Sequence, residues 1–355
     1  MNAESGAGVP DVAPRHIVVA GDWHSNEAWA LSVIRRLPGL LAGESRRLIL
    51  HLGDFGIWPD PAGHAYLARV SAALAEVDAE LWFIDGNHED FPQLAQLARE
   101  GGTTPDGREV IKPGLFHLPR GYRWTWHGRR WLACGGGVSL DRAIRTEGAD
   151  WWPEEEITDA EEAGVIAGGH AEVLISHDCP SGVAHAFGRV PSSWDPGDLA
   201  RNDAHRRRLQ RVVDAVQPAY LMHGHLHRAY QRVTDFGYGP VQVTGLDADD
   251  RLRNFAVLNV ETVMWKLRWG RFRRLPWHPH PGFGSAASSV PLSGFFLIGP
   301  SNQDAGLLLA SAVYRVAVFV AAPLTVPDQP RMCRCRPGST CVRVLARKPR
   351  SGWRT

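Results

Sequence analysis

Leu81-Trp-Phe-Ile-Asp-Gly-Asn-His-Glu-Asp90 begins as an apolar run and breaks at Gly86, after which an amide, an imidazole and two carboxylates follow one another. The run from Leu81 to Ile84 reads as a buried strand. The groups behind it need polar partners, which an apolar strand does not provide. Loops at strand ends are where α/β folds place ligands. Asn87 and His88 are therefore the first candidates for chemistry.

The same pattern occurs twice upstream. His16-Ile-Val-Val-Ala20 is a short apolar run of the kind buried in parallel sheets, and it ends in Gly21-Asp22-Trp23-His24-Ser25-Asn26. Ser25 or Asn26 can cap a helix carrying Trp29, Val33, Ile34 and Leu37, which Pro38-Gly39 ends or unsettles. Arg47 to Leu52 predicts a second strand, ending in Gly53-Asp54-Phe55-Gly56, and a helix follows over about 62–77. Asp22, Asp54 and Asn87 are 32 and 33 residues apart, close to the roughly 30 residues of a βαβ unit. Such units are right-handed and lay parallel strands side by side, so the three residues should meet at one sheet edge.

Downstream, residues 121–126 and 129–134 read as a hairpin around His127-Gly128, closed by Gly135-Gly-Gly137. The acidic stretch Glu154 to Glu162 predicts the start of a surface helix with a solvated face. Ala171 to Ser176 is a strand that runs into His177-Asp178. Residues 185–200 read as a loop and 205–217 as a helix. Tyr220 to Met222 leads into His223-Gly-His-Leu-His227, a hairpin follows over 228–243, and 255–260 with 263–267 close a sheet. On an extended segment alternate residues share a face, which would put His225 and His227 together.

The chain has 355 residues, 44% hydrophobic and 22% charged, enough apolar content for a core, with a net charge of +1. That balance conceals an asymmetry. From Lys266 onward there are fourteen Lys/Arg against two acids, about +12, leaving the rest near −11. The expected organisation is a loose lead-in (1–14), one domain (15–269), and a Pro/Gly/Arg-rich, poorly ordered tail (270–355). Five cysteines without a disulfide framework predict a reducing, cytoplasmic setting. Cys333, Cys335 and Cys341 match no common zinc spacing. The apolar run Ala305 to Leu324 carries Arg315, which argues against a membrane span.

Taken singly, Asp22, His24, Asp54, Asn87, His88, His177, His225 and His227 have bland readings as caps, turns or structural histidines. Their ordered recurrence at strand ends does not. In that order the chain resembles the calcineurin-like metallophosphoesterase superfamily, through Asp22-Trp-His24, Gly53-Asp54, Gly86-Asn-His-Glu89, His177 and Gly224-His-Leu-His227. The resemblance covers about residues 15–265. It implies a four-layer αββα sandwich of two mixed β-sheets flanked by helices.

It also implies two divalent cations, one held by Asp22, His24, Asp54 and His227, the other by Asp54, Asn87, His177 and His225, with Asp54 bridging. His, Asp and Asn donors suit Mn²⁺, Fe, Zn²⁺ or Co²⁺, with Mn²⁺ the expected ion in vitro. The implied reaction is hydrolysis of a phosphomonoester or phosphodiester by a metal-bridging hydroxide. His88 contacts the phosphate and protonates the leaving oxygen, a role for which a histidine near its reference pKa is suited. Gly53-Asp-Phe-Gly-Ile-Trp-Pro59 lacks the Asp and Arg of the protein-phosphatase branch, which leaves the orienting partner of His88 unidentified. Arg142 and Arg145 are candidates for binding a phosphate oxygen. The expected partner is a small or generic phosphoester. The alternatives are a nuclease, with Trp124, Trp126, Trp131, Trp151 and Trp152 stacking bases, and a non-catalytic scaffold of the same fold. The acidic body disfavours a broad nucleic-acid footprint.

Overall fold

The computed structural model describes residues 13–183 and 194–266. In chain order these form β1 (His16–Ala20), α1 (Glu27–Ile34), α2 (Leu37–Leu40), β2 (Arg47–His51), α3 (Pro61–Glu76), β3 (Ala79–Phe83), α4 (Phe91–Gly101), β4 (Glu109–Lys112) and β5 (Leu115–His117). There follow β6 (Arg123–Trp126), β7 (Arg129–Cys134), α5 (Asp159–Ala167), β8 (Val173–Ser176), α6 (Pro196–Val216), β9 (Tyr220–His223), β10 (Tyr230–Asp235), β11 (Pro240–Gly245), β12 (Phe255–Asn259) and β13 (Met264–Lys266).

Two sheets result, one in the order β13-β12-β1-β2-β3-β5-β4 and the other β10-β11-β9-β8-β7-β6. Both are mixed in the same way. Four central strands run parallel (β1, β2, β3, β5 and β11, β9, β8, β7) and antiparallel strands flank them.

The continuous apolar runs have a direct physical reason: each central strand is buried on both faces. Ile17, Val19, Leu48, Leu50, Trp82 and Ile84 face the core between the sheets, against Trp126, Trp131, Ala133, Val173, Ile175 and Met222. Their alternates Val18, Ile49, Leu81 and Phe83 pack under helices, with Val33 and Ile34 of α1, Leu67, Val70 and Leu74 of α3, and Leu94 and Leu97 of α4. On the other side Leu132, Leu174 and Leu221 meet Leu209, Val212, Val213 and Val216 of α6. Three cores separate four layers, the expected αββα sandwich.

The elements differ from expectation in three places. Residues 90–120, over which the motifs predict nothing, hold α4, β4 and β5. Helix α6 starts at Pro196 instead of 205, because Asp195 caps it by accepting from Gly197 and Asp198 N–H and Pro196 fits its first turn. Its buried face also carries Asp198, Asn202, His205 and Arg206, so hydrophobic periodicity is absent over that half. The acidic stretch is solvated only in part, at Glu154 and Asp159. Glu155 and Glu162 are buried, and α5 opens with a Thr158–Glu161 capping box.

The expectations for residues 1–12, for 184–193 of the loop, and for everything from 267 on fall outside the described residues. That includes the apolar run at 305–324 and the three distal cysteines. Among the described residues no helix is long and apolar enough to cross a membrane.

Candidate metal centre

All the predicted donors lie just past the C-terminal ends of parallel strands: Asp22 and His24 after β1, Asp54 after β2, Asn87 and His88 after β3, His177 after β8, and His225 and His227 after β9. The two sheets pack so that these ends meet at one edge. The loops are held in unusual backbone: His24, Asp54, His225 and His227 have φ of 46°, 55°, 62° and 48°. Non-glycine residues rarely adopt such values, and functional sites are where they cluster. They also correct the expected geometry of the last motif. His225 and His227 do not alternate along an extended strand; left-handed turns bring both to the site.

Close approach explains two of the motif glycines. A Cβ on Gly86 would collide with Asp54 Oδ1, and one on Gly224 with Asp22 Oδ1.

Asp22, His24, Asp54 and His227 form one donor cluster and Asp54, His177 and His225 a second; within each, the ligand atoms lie within 4.8 Å of one another. Together they make a dinuclear metal-binding site bridged by Asp54. In the first cluster His24 Nε2 is 3.3 Å from Asp54 Oδ2 and His227 Nε2 is 3.0 Å from Asp22 Oδ2. His24 Nδ1 faces Asp249 Oδ1 at 3.2 Å, and that carboxylate also takes Asn26 Nδ2 at 2.6 Å. Histidine ligands commonly have such an outer carboxylate, which orients the ring.

The second cluster gives the plainest test of whether a cation fits. His177 Nδ1 lies 2.7 Å from the Leu52 carbonyl and donates to it, so in the neutral ring Nε2 presents a lone pair. Nε2 faces Asp54 Oδ1 at 3.2 Å and Asn87 Oδ1 at 3.1 Å, both acceptors. His225 Nε2 is buried with no hydrogen-bond partner. Converging acceptors without a donor suit a cation and little else.

Protons fill that role in the protein alone. Burial opposes charge on His177, but Asp54 and Asp22 outweigh it and raise the imidazole to about 10. Burial would raise Asp54, yet the His177 cation holds it well below the usual carboxylate range. Asp22 falls to about 2 in the same way, against burial, through His227.

Further residues hold the loops and have no counterpart among the predicted ligands. Glu89 is fully buried; Oε1 accepts Phe55 and Gly56 N–H at 2.7 and 3.2 Å, and Oε2 accepts Gly86 N–H at 2.7 Å. It ties the Asp54 loop to the Asn87 loop, and burial lifts it to about 8. Asp85 pairs with Arg120 at 2.7 Å and receives Gly136 N–H on its carbonyl at 2.9 Å. The signal for Asp85 and Glu89 was present in the sequence as charges flanking the motif. For Asp249 and Arg120 there was none.

His88 donates its backbone N–H to Asp54 Oδ1 at 2.9 Å, as Asn87 does. Its half-buried ring lies 5.5 Å from that of His24, and Nε2 is 3.5 Å from an Arg145 nitrogen. It is not near its reference pKa: burial, with the Arg145 and His24 cations, lowers it to about 3 against the pull of Asp54. Arg145 is held by Asp141, 2.7 Å to each oxygen. Arg142 points elsewhere, its Nε 2.6 Å from the buried Asp198 and its guanidinium over Trp151. Trp126, Trp131, Trp151 and Trp152 are buried, and Trp124 stacks on Tyr122 and Trp131. Trp126 and Trp131 belong to the core between the sheets, with Trp124 packed against it.

Residues 15–229, which include every predicted donor, match the sequence family described as calcineurin-like phosphoesterase. No curated protein matches the chain. Among solved structures it is similar to TT1561 of Thermus thermophilus, at 12% identity over 71% of this chain and 97% of that one, with a TM-score of 0.43. It is also similar to GAP50, the anchor in the inner membrane complex of Plasmodium (10% identity, 69% and 80% covered, TM-score 0.38). A third is a predicted phosphoesterase from Streptococcus pneumoniae TIGR4 (11%, 70% and 83%, 0.28).

Proposed function

The chain belongs to the calcineurin-like phosphoesterase family, and from that premise we propose that it hydrolyses a phosphomonoester or phosphodiester at a dinuclear metal centre. The observation that carries the reading is Asp54, one buried carboxylate shared by two donor clusters. Asp22, His24, Asp54 and His227 would hold one cation; Asp54, Asn87, His177 and His225 would hold the other. When bound, such a pair supplies Lewis-acid polarisation of the phosphoryl group and acidifies a water for attack at phosphorus. The mixed donors suit Mn²⁺, Fe, Zn²⁺ or Co²⁺, and Mn²⁺ is the ion to try first.

His88 ligates neither cation in this reading. It contacts the phosphate and gives a proton to the leaving oxygen. Burial, with the Arg145 and His24 cations, keeps the imidazole neutral, and the negative charge of a bound phosphoester pulls in the opposite direction, toward the protonated form a general acid needs. Arg145, clamped by Asp141 beside His88, supplies a guanidinium for a phosphoryl oxygen. The acidic body and the buried tryptophans support a small phosphoester over a nucleic acid as substrate. The free, buried thiols of Cys134 and Cys179 support a reducing, cytoplasmic setting.

The test is turnover of p-nitrophenyl phosphate and bis-p-nitrophenyl phosphate with Mn²⁺. Hydrolysis of at least one ester is expected, and loss of either cation position should remove it. Protein that carries two cations and cleaves neither ester with any divalent metal would overturn the reading.

A further inference from the structure

We propose that Ser139 and Glu155 are positioning residues that decide which end of the Asn87 carboxamide faces the second cation. The proposal rests on the reading of Asn87 as a ligand. An amide side chain has two ends of nearly equal shape, and only the oxygen can coordinate a cation. A reversed amide would put an NH₂ group into the cation position, so something must fix its direction.

The fixing runs through one-way hydrogen bonds. Glu155 lies on a short turn (Pro153–Glu155), is fully buried, and as a carboxylate only accepts. Both of its oxygens engage Ser139: Oε1 takes the backbone N–H at 3.0 Å and Oε2 takes the hydroxyl at 2.6 Å. The Ser139 hydroxyl proton is thereby committed, and its oxygen has only lone pairs to offer. It accepts Asn87 Nδ2–H at 3.1 Å. Nδ2 is therefore turned away from the site, and Oδ1 is left 3.1 Å from His177 Nε2.

The Gly135-Gly-Gly137 run makes the approach feasible. Gly136 and Gly137 donate to the Asp85 and Glu155 carbonyls at 2.9 Å each, and a Cβ on Gly137 would press on Asn87 Oδ1. Burial raises the Glu155 carboxyl above its ordinary value, and the Ser139 hydroxyl and N–H, with Arg201 3.6 Å away, pull it back toward the carboxylate. Ser139 is itself 1% exposed, so water does not compete for the hydroxyl.

Calorimetric titration of chelator-stripped, full-length protein with Mn²⁺ tests this without reference to turnover. In wild type two binding events are expected. Ser139→Ala should weaken the second cation about 10–100-fold, the usual effect of removing an outer hydrogen-bond partner, and leave the first unchanged. Ser139→Thr keeps the hydroxyl and should restore wild-type affinity. Glu155→Gln, which frees the Ser139 proton to turn toward Asn87, should weaken the same cation. Two outcomes overturn the proposal alone: Ser139→Ala binding both cations as wild type, or Ser139→Ala and Ser139→Thr being equally weakened. Asn87→Ala separates this from the reading beneath it. If Asn87→Ala leaves both affinities unchanged, Asn87 is no ligand and both readings fall.

Discussion

The two cation positions share Asp54 but differ in their surroundings. Around the first, the side chains of His24 and His227 are 27% and 22% exposed. Around the second, His177 is 0% exposed and Asn87 4%, with only His225 half-buried, and His177, Asn87 and the shared Asp54 are fixed by the Leu52 carbonyl, Ser139 and two backbone N–H groups. Both sheets contribute to both positions, so neither forms until the sheets have packed. The difference suggests a division of work. The more buried position is expected to hold its ion longer, and the more open one to exchange it sooner.

The largest effect should come from removing what the two positions share. Asp54→Asn is expected to reduce Mn²⁺ from two ions per chain to fewer than one, measured by elemental mass spectrometry, and to bring turnover to background. Next, His88→Ala should keep both ions and lower kcat by about 10²–10⁴-fold, the usual share of a general acid; a fully active His88→Ala would remove it from the mechanism. Asp249→Ala should weaken the open cation by about 10–100-fold and leave the buried one alone, the mirror image of the Ser139 variant. A chelator added to the loaded protein should strip one ion well before the other, and His227→Ala, not His177→Ala, should leave the slowly lost ion in place.

The smallest effect is on stability, at the outer support of the Asn87 loop. His117 is raised to about 9, because Asp85 and Glu109 outweigh its burial. Its folded pKa exceeds its unfolded one, so its contribution is complete below about pH 6.5 and is lost as pH rises through about 9. Denaturant melts of metal-free wild type should weaken over that window by roughly 3 kcal/mol at most. His117→Gln should flatten that slope.

The strands and the donors at their ends were legible because the physics is local. Strands buried on both faces must be apolar throughout, as at Ile17 to Ala20, and their ends must be polar where they meet a ligand. Asp22, Asp54 and Asn87 therefore stand out at regular intervals. The outer partners were not legible. Asp249 meets His24 across 225 residues and Arg120 meets Asp85 across 35. In sequence each is an ordinary charged residue, and only the fold buries it or brings it near. Glu155 shows the same limit, since in an acidic run it looks solvated and in the fold it is fully enclosed. The hairpin of 121–126 and 129–134 was legible because its turn at His127-Gly128 is again a local property.

The most direct measurement is a Mn²⁺ titration of metal-free protein, with bound ions per chain and turnover of bis-p-nitrophenyl phosphate and p-nitrophenyl phosphate followed together. The account predicts filling of two positions, with hydrolysis rising only as the second is occupied. Full activity with a single ion bound, or two bound ions with neither ester cleaved, would contradict it.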